Sequence, residues 1–230
     1  MRRGYFVTGT DTGVGKTRVA AGLIAALRQQ GQRVAGMKPV ASGCVMTPDG
    51  LRNEDALALC AASGLAVPYD WVNPYAFAPP IAPHIAAREA GQRIRFDVLA
   101  AALDRLQAQA ECVVVEGVGG WRVPLGADGD VADLAAHLGL PVVLVVGLRL
   151  GCLNHAALTV ADMRRSGLPL AGWAASAVDP GFAREAENLA TLADILALPC
   201  LGILGHCPEA SAEEAAAGLR LPTAGATRRT

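Results

Sequence analysis

Gly9-Thr10-Asp11-Thr12-Gly13-Val14-Gly15-Lys16-Thr17 (GTDTGVGKT, residues 9–17) joins two stretches of different periodicity. Before it, Tyr5 to Thr8 is short and apolar enough for a buried strand. After it, Lys16 to Gln30 carries Val19, Leu23, Ile24 and Leu27 at helical spacing, and Gly31 ends the run. Strand, glycine-rich turn and helix in that order form the setting of a phosphate-binding loop. The glycines let the backbone curl so that its N–H groups face phosphate oxygens, and the helix N-terminus adds partial positive charge. Lys16 is placed for the β- and γ-phosphates and Thr17 for a Mg²⁺ ion, with Gly13, Val14, Gly15 and Arg18 completing the cradle. The match to the common pattern is not literal. Thr10 stands where the first glycine is usual and Gly9 lies one residue earlier, so the loop is one residue longer.

Outward from this loop the alternation continues. Strands are expected at Arg33 to Lys38, Cys112 to Glu116, Val142 to Val146, Leu170 to Ala175 and Cys200 to Leu204. Helices are expected at 53–63, with Asn53 as cap and Gly64 as stop, then at Asp97 to Ala108, Asp130 to Leu138, Leu153 to Ser166 and Arg184 to Leu196. Strands apolar on both faces and separated by helices predict a single-domain α/β fold, a parallel sheet flanked by helices. Val67 to Pro83 holds five prolines, which predicts an irregular loop. The α/β domain is expected to fill residues 1–207, and the small-residue-rich stretch 208–230 to form a loose helix and a frayed tail.

Composition sets outer limits. With 230 residues, 52% of them hydrophobic and 18% charged, the chain can bury one large core and is too apolar for a disordered one. A net charge of −1 and the lack of a Lys/Arg run argue against nucleic acid and acidic membranes as partners. Neither a signal sequence nor a membrane-spanning run is legible, so a cytoplasmic protein is expected. Cys44, Cys60, Cys112, Cys152, Cys200 and Cys207 form no C-x-x-C pair and read as buried or half-buried free thiols.

Two carboxylates and a second lysine are candidates to act with the phosphate loop. Glu116 ends an apolar strand just before Gly117-Val118-Gly119-Gly120, and in an open parallel sheet ligands sit beyond the carboxyl ends of the strands. Asp55 reads equally well as a metal ligand or as a first-turn acid stabilising its own helix. Lys38 ends the second strand ahead of Pro39-Val40-Ala41-Ser42-Gly43. It would bring a second ammonium to the charge of a transferring phosphoryl group.

Taken in order, GTDTGVGKT, KPVASG (38–43), LRNEDALAL (51–59), VNPY (72–75), PH (83–84), VEGVGGW (115–121), LVVGLRLGCLNHA (144–156) and LAGW (170–173) resemble the dethiobiotin synthetase family, on the P-loop nucleoside triphosphate hydrolase fold. The resemblance implies ring closure of 7,8-diaminononanoate with CO2 (or bicarbonate) and MgATP, through a carbamate and a carbamic-phosphoric anhydride. The products are dethiobiotin, ADP and phosphate. By that resemblance Lys16 and Lys38 are catalytic, and Thr17, Asp55 and Glu116 hold Mg²⁺. Gly117, Val118 and Gly119 border the nucleotide, and Thr12, Lys38 and Ser42 line the diamine and carbamate. Gly151, Cys152, Leu153 and Asn154 receive the substrate carboxylate from a neighbouring subunit, which implies a homodimer. The nearest rival, a nucleotide-switch ATPase, usually carries an extra lysine at the position Asp11 holds here.

The chain departs from the family pattern on the base side. Ser176 and Ala177 stand where some relatives carry an Asn-Asp pair that reads adenine, and Gly205-His206 stand where they carry Pro-Trp. Asn188 replaces an aromatic residue near the substrate carboxylate, and Gly13 replaces a position that is often acidic. A serine lacks the paired donor and acceptor of an amide, so a relaxed choice among nucleoside triphosphates is expected.

Overall fold

The computed structural model describes residues 2–207 and 209–222. In chain order the elements are β1 (Gly4–Gly9), α1 (Lys16–Gln29), β2 (Val34–Met37), β3 (Val40–Ser42), β4 (Val45–Thr47), β5 (Gly50–Arg52) and α2 (Glu54–Ser63), followed by α3 (Tyr69–Val72), β6 (Tyr75–Phe77), α4 (Pro83–Glu89), α5 (Phe96–Gln107), β7 (Cys112–Glu116), β8 (Pro124–Gly126) and β9 (Gly129–Asp130). The last are α6 (Val131–Leu138), β10 (Val142–Leu148), α7 (Cys152–Arg165), β11 (Leu170–Ala177), α8 (Glu185–Leu196), β12 (Cys200–Leu204) and α9 (Ala212–Ala217). Six strands form the main sheet in the order β12-β11-β10-β1-β7-β2, each pair parallel.

The sheet is parallel because its strands are apolar on both sides and need cover on both. Every residue of β7 and β10 is buried. One core layer packs Leu99, Leu103 and Leu106 of α5 with Leu134 of α6 and Met163 of α7, and the other is built on Val19, Leu23 and Ile24 of α1. β1 lies between β7 and β10, and its C-terminal end delivers the phosphate loop to the crevice where ligands bind in such sheets. Among the described residues no helix is long and apolar enough to cross a membrane.

Three expectations need correction. Residues 67–83 are not wholly irregular, because α3 and β6 fit between the prolines. Pro68 precedes the first turn of α3, where a missing N–H costs nothing, and β6 pairs in parallel with β3 at Val40↔Tyr75. The stretch after residue 207 is not a loose helix. A capping box between Ser211 and Glu214 fixes α9, which packs on α1 so closely that a side chain at Gly22 would meet Ala215 Cβ at 3.0 Å. The packed unit therefore runs past the boundary expected at 207, and residues 223–230 of the expected tail lie outside the described ones. The six thiols are unpaired, but Cys200 and Cys207 are exposed rather than buried.

Candidate active site

The phosphate loop turns into α1 at Gly15, whose φ of +88° is left-handed. A Cβ there would also lie 2.5 Å from Ser176 Oγ, so glycine is required by both conformation and space. Val14 turns its side chain into the core and leaves its backbone to the loop. Lys16 is nearly buried, and its ammonium donates to the Asp11 carbonyl at 2.9 Å. Burial, together with the neighbouring Lys38 ammonium, lowers its pKa to about 8, against the opposing pull of Glu116 and Asp55.

Four side chains from four elements meet beside this loop. Thr17 Oγ1, from α1, lies 2.7 Å from Asp55 Oδ1 and 3.0 Å from Glu116 Oε1. Lys38 Nζ, at the end of β2, donates to Asp55 Oδ2 at 2.7 Å and Glu116 Oε1 at 2.6 Å. Asp55 comes from the first turn of α2, capped by the Asn53 side chain, and Glu116 from the end of β7. Asp55 faces the other three groups as well as its own helix terminus. Burial works against the charge of Lys38, yet Glu116 and Asp55 outweigh it and hold the pKa above that of an ordinary lysine. Burial likewise works against the charge of Asp55, and Lys38 and the Thr17 hydroxyl overcome it to lower the pKa. Glu116 is raised by its complete burial, with Lys38 pulling the other way.

The donor set suits a hard divalent cation. It offers a hydroxyl and two carboxylates, and the Thr17 hydrogen cannot serve both acids at once. Glu116 Oε2 is buried with no hydrogen-bond partner, an acceptor left open. Among the described residues no group of three or more His, Cys, Asp or Glu is arranged to hold a metal. A hydroxyl and two carboxylates fit an ion such as Mg²⁺, which takes one or two carboxylates and fills its shell with phosphate and water oxygens.

A cavity of about 760 Å³ opens over this cluster. It is lined by Thr12, Gly13, Gly15, Lys16, Thr17, Lys38, Ser42, Asp55, Glu116, Val118 and Gly119. The Ser42 hydroxyl is buried with no hydrogen-bond partner. Pro80, Ile81, Ala82 and Pro83 form an apolar wall.

The remaining expected residues lie elsewhere. Gly151, Cys152, Leu153 and Asn154 open α7 and do not line this cavity. Beside them Leu150 is 95% exposed, and Leu158 further along the helix 66%. Ser176 is buried against Gly15. Arg18 donates to the Gly205 carbonyl at 2.6 Å, and His206 Nδ1 lies 3.1 Å from the Ala177 carbonyl.

The chain is similar to known proteins over nearly its whole length. An AAA-domain family model matches residues 3–214. ATP-dependent dethiobiotin synthetase BioD of Xanthomonas oryzae pv. oryzae (strain PXO99A) is 53% identical over 218 residues, covering 95% of this chain and 97% of the relative. The protein of the same name from Pseudomonas aeruginosa (strain UCBPP-PA14) is 55% identical over 218 residues, covering 94% and 96%. Among solved structures, the septum site-determining protein MinD complexed with Mg-ADP from Pyrococcus horikoshii OT3 aligns with a TM-score of 0.56 at 17% identity, over 96% of this chain and 87% of its own. Signal recognition particle 54 kDa protein from Aeropyrum pernix K1 in complex with GDP gives 0.58 at 16% identity, over 93% and 43%. At those identities the likeness is one of fold alone, that of the P-loop nucleotide hydrolases.

Proposed function

The chain belongs to the ATP-dependent dethiobiotin synthetase family, and from that membership we propose that it closes the ureido ring of dethiobiotin from 7,8-diaminononanoate, CO2 and MgATP. It is an ATP-dependent ligase of biotin biosynthesis. The observation that carries the site assignment is the meeting of Lys16, Thr17, Lys38, Asp55 and Glu116 at one edge of one cavity.

In this reading one substrate amine takes up CO2 as a carbamate and loses a proton. The carbamate oxygen attacks the γ-phosphorus and ADP leaves. The second amine then attacks the carbamoyl carbon and loses a proton, and the C–O bond to phosphate breaks so that phosphate departs. A carbamate is a poor electrophile until its oxygen carries a phosphoryl group, so the protein's work is alignment and charge neutralisation. Lys16 and the loop N–H groups hold the polyphosphate. Lys38 faces the transferring group from the far side, and Thr12 and Ser42 orient the diamine and carbamate. Thr17, Asp55 and Glu116 would hold Mg²⁺, which when bound offsets charge on the phosphates. Gly151 to Asn154 present a helix N-terminus for the substrate carboxylate of a second subunit, beside the exposed Leu150. A homodimer and a cytoplasmic location belong to the same proposal. ADP release by the purified protein with MgATP and bicarbonate should depend on the diamine, with dethiobiotin detected by mass. Release indifferent to the diamine would refute the assignment.

The base side supports a second expectation. The Ser176 hydroxyl is turned to Gly15, the Gly205 carbonyl is occupied by Arg18, and the Ala177 carbonyl by His206. Few polar groups there are free to read a base. Rates with ATP, CTP and GTP under matched conditions should differ by less than about 10-fold. A preference for ATP on the order of 100-fold, ~2.7 kcal/mol, would sink this expectation.

A further inference from the structure

The VNPY stretch at 72–75 and Tyr69 bond to none of the side-chain groups assigned to chemistry, yet hydrogen bonds tie them to the backbone of Lys38 and to that of Asn53, two residues ahead of Asp55. Asn73 is 3% exposed, and its Nδ2 donates to the Lys38 carbonyl at 2.7 Å. Its Oδ1 lies 3.2 Å from the Tyr69 hydroxyl, and that hydroxyl lies 2.9 Å from the Asn53 N–H. The roles are forced. The Asn53 N–H can only donate, so the Tyr69 oxygen accepts it; the Lys38 carbonyl can only accept, so Asn73 turns Nδ2 to it and Oδ1 accepts the Tyr69 hydroxyl hydrogen. Asn53 caps α2 by accepting the Ala56 N–H at 3.2 Å, and Asp55 follows in the first turn. Asp55 then returns to Lys38 through the 2.7 Å contact with its ammonium.

These bonds close a ring: Lys38 backbone, Asn73, Tyr69, Asn53, Asp55, Lys38 side chain. Two further bonds brace it, from the Lys38 N–H to the Val72 carbonyl at 2.8 Å and from the Tyr75 N–H to the Pro39 carbonyl at 3.2 Å. The Arg52 guanidinium lies 4.1 Å from the centre of the Tyr69 ring and fixes its plane. We propose that Tyr69 and Asn73 are positioning residues that set the distance and angle between Lys38 and Asp55, and that this is why the proline-rich segment folds back on β2. The proposal rests on the reading of Lys38 and Asp55 given above. Partners behind the residues that hold a metal typically change its affinity about 10- to 100-fold when removed.

The test compares Tyr69→Phe, Asp55→Asn and the double variant with the parent. Bound Mn²⁺ in the presence of ADP is read by EPR, together with kcat for diamine-dependent ADP release and the unfolding temperature. Tyr69→Phe should weaken the ion and lower kcat, each about 10-fold, and the double variant should bind the ion no more weakly than Asp55→Asn alone. Asn73→Asp, which loses the donor to Lys38, should match Tyr69→Phe in kcat. If Tyr69→Phe lowers only the unfolding temperature, or if its loss adds in full to that of Asp55→Asn, the positioning role is overturned. If Asp55→Asn binds Mn²⁺ as the parent does, the metal assignment fails instead. The kcat of Tyr69→Phe then decides alone, a fall supporting the positioning of Lys38 and parental turnover overturning it.

Discussion

Lys16→Ala should reduce diamine-dependent ADP release to background while the protein unfolds at no lower a temperature than the parent at neutral pH. The first half follows from charge. The Lys16 ammonium is aimed into the cavity from the phosphate loop, and Lys38, the other lysine there, is held by Asp55 and Glu116 and cannot replace it. The second half follows from burial. Lys16 has a pKa of about 8, lowered from that of a free lysine, so the folded state binds its proton less tightly than the unfolded chain does. A lysine lowered in this way opposes folding below its folded pKa, and stability rises as pH climbs from about 8 toward the value in the unfolded chain. Removing the side chain removes that cost at pH 7, roughly 1–3 kcal/mol before the lost packing of its methylenes. A dead variant that melts no earlier than the parent would exclude misfolding as the cause. Residual turnover above a few per cent would show that phosphate binding rests on the backbone and Lys38 alone. The same shift predicts that capture of ATP, read as kcat/KM, falls above a pH of about 8 as Lys16 loses its proton. The limb of kcat should lie higher, because bound phosphate favours the charged lysine.

How much of this was legible in the sequence depends on whether the signal was local. The strand, loop and helix around Gly9 to Thr17 are one contiguous signal, and the structure reproduces them nearly to the residue. Glu116 was legible because a charge at the end of a fully apolar strand has one place to go in a parallel sheet. Asp55 was ambiguous because its partners Thr17, Lys38 and Glu116 stand far away in sequence on three other elements, and no local pattern encodes that meeting. Asn73 left no trace beyond membership of a short motif, and Tyr69 left none. Their function is to complete hydrogen bonds with backbone groups, which any sequence offers. Proline count misled at 67–83 because a proline blocks the interior of an element, whereas Pro68 sits ahead of α3 and Pro83 in the first turn of α4. The Ala/Glu-rich end was misjudged for the opposite reason. Its weak apolar face suffices because Gly22 lets α1 and α9 approach closely, and Ser211-x-x-Glu214 was readable as a capping box.

Lys38→Met should lose both turnover and stability, and the two losses should respond differently to Mg²⁺. Met matches the length of the lysine stem and keeps its packing, so the change is chiefly the loss of one buried positive charge. Lys38 is 3% exposed and Glu116 1%, so that charge faces two acids, one of them wholly inside the protein. Removing one partner of a buried pair costs about 3–5 kcal/mol, because the other charge stays buried without compensation. In EDTA at neutral pH the variant should therefore unfold well below the parent. Lowering the pH should narrow the gap. Loss of Lys38 removes what holds the Asp55 pKa down and pushes that of Glu116, already raised by burial, further up, so the penalty is largest at neutral pH and fades as the acids take up protons. Mg²⁺ should narrow the gap too, since the carboxylates then gain a different cation and any ligand of the folded state stabilises it by mass action. Turnover should not return with Mg²⁺ if Lys38 acts as proposed, because an ion among Thr17, Asp55 and Glu116 does not supply its ammonium to the transferring phosphoryl group. If the variant unfolds like the parent in EDTA, the two acids are not charged together in the folded state, and Lys38 is not their counter-ion. If Mg²⁺ restores stability and turnover alike, Lys38 serves only to hold the carboxylates, and its catalytic assignment falls.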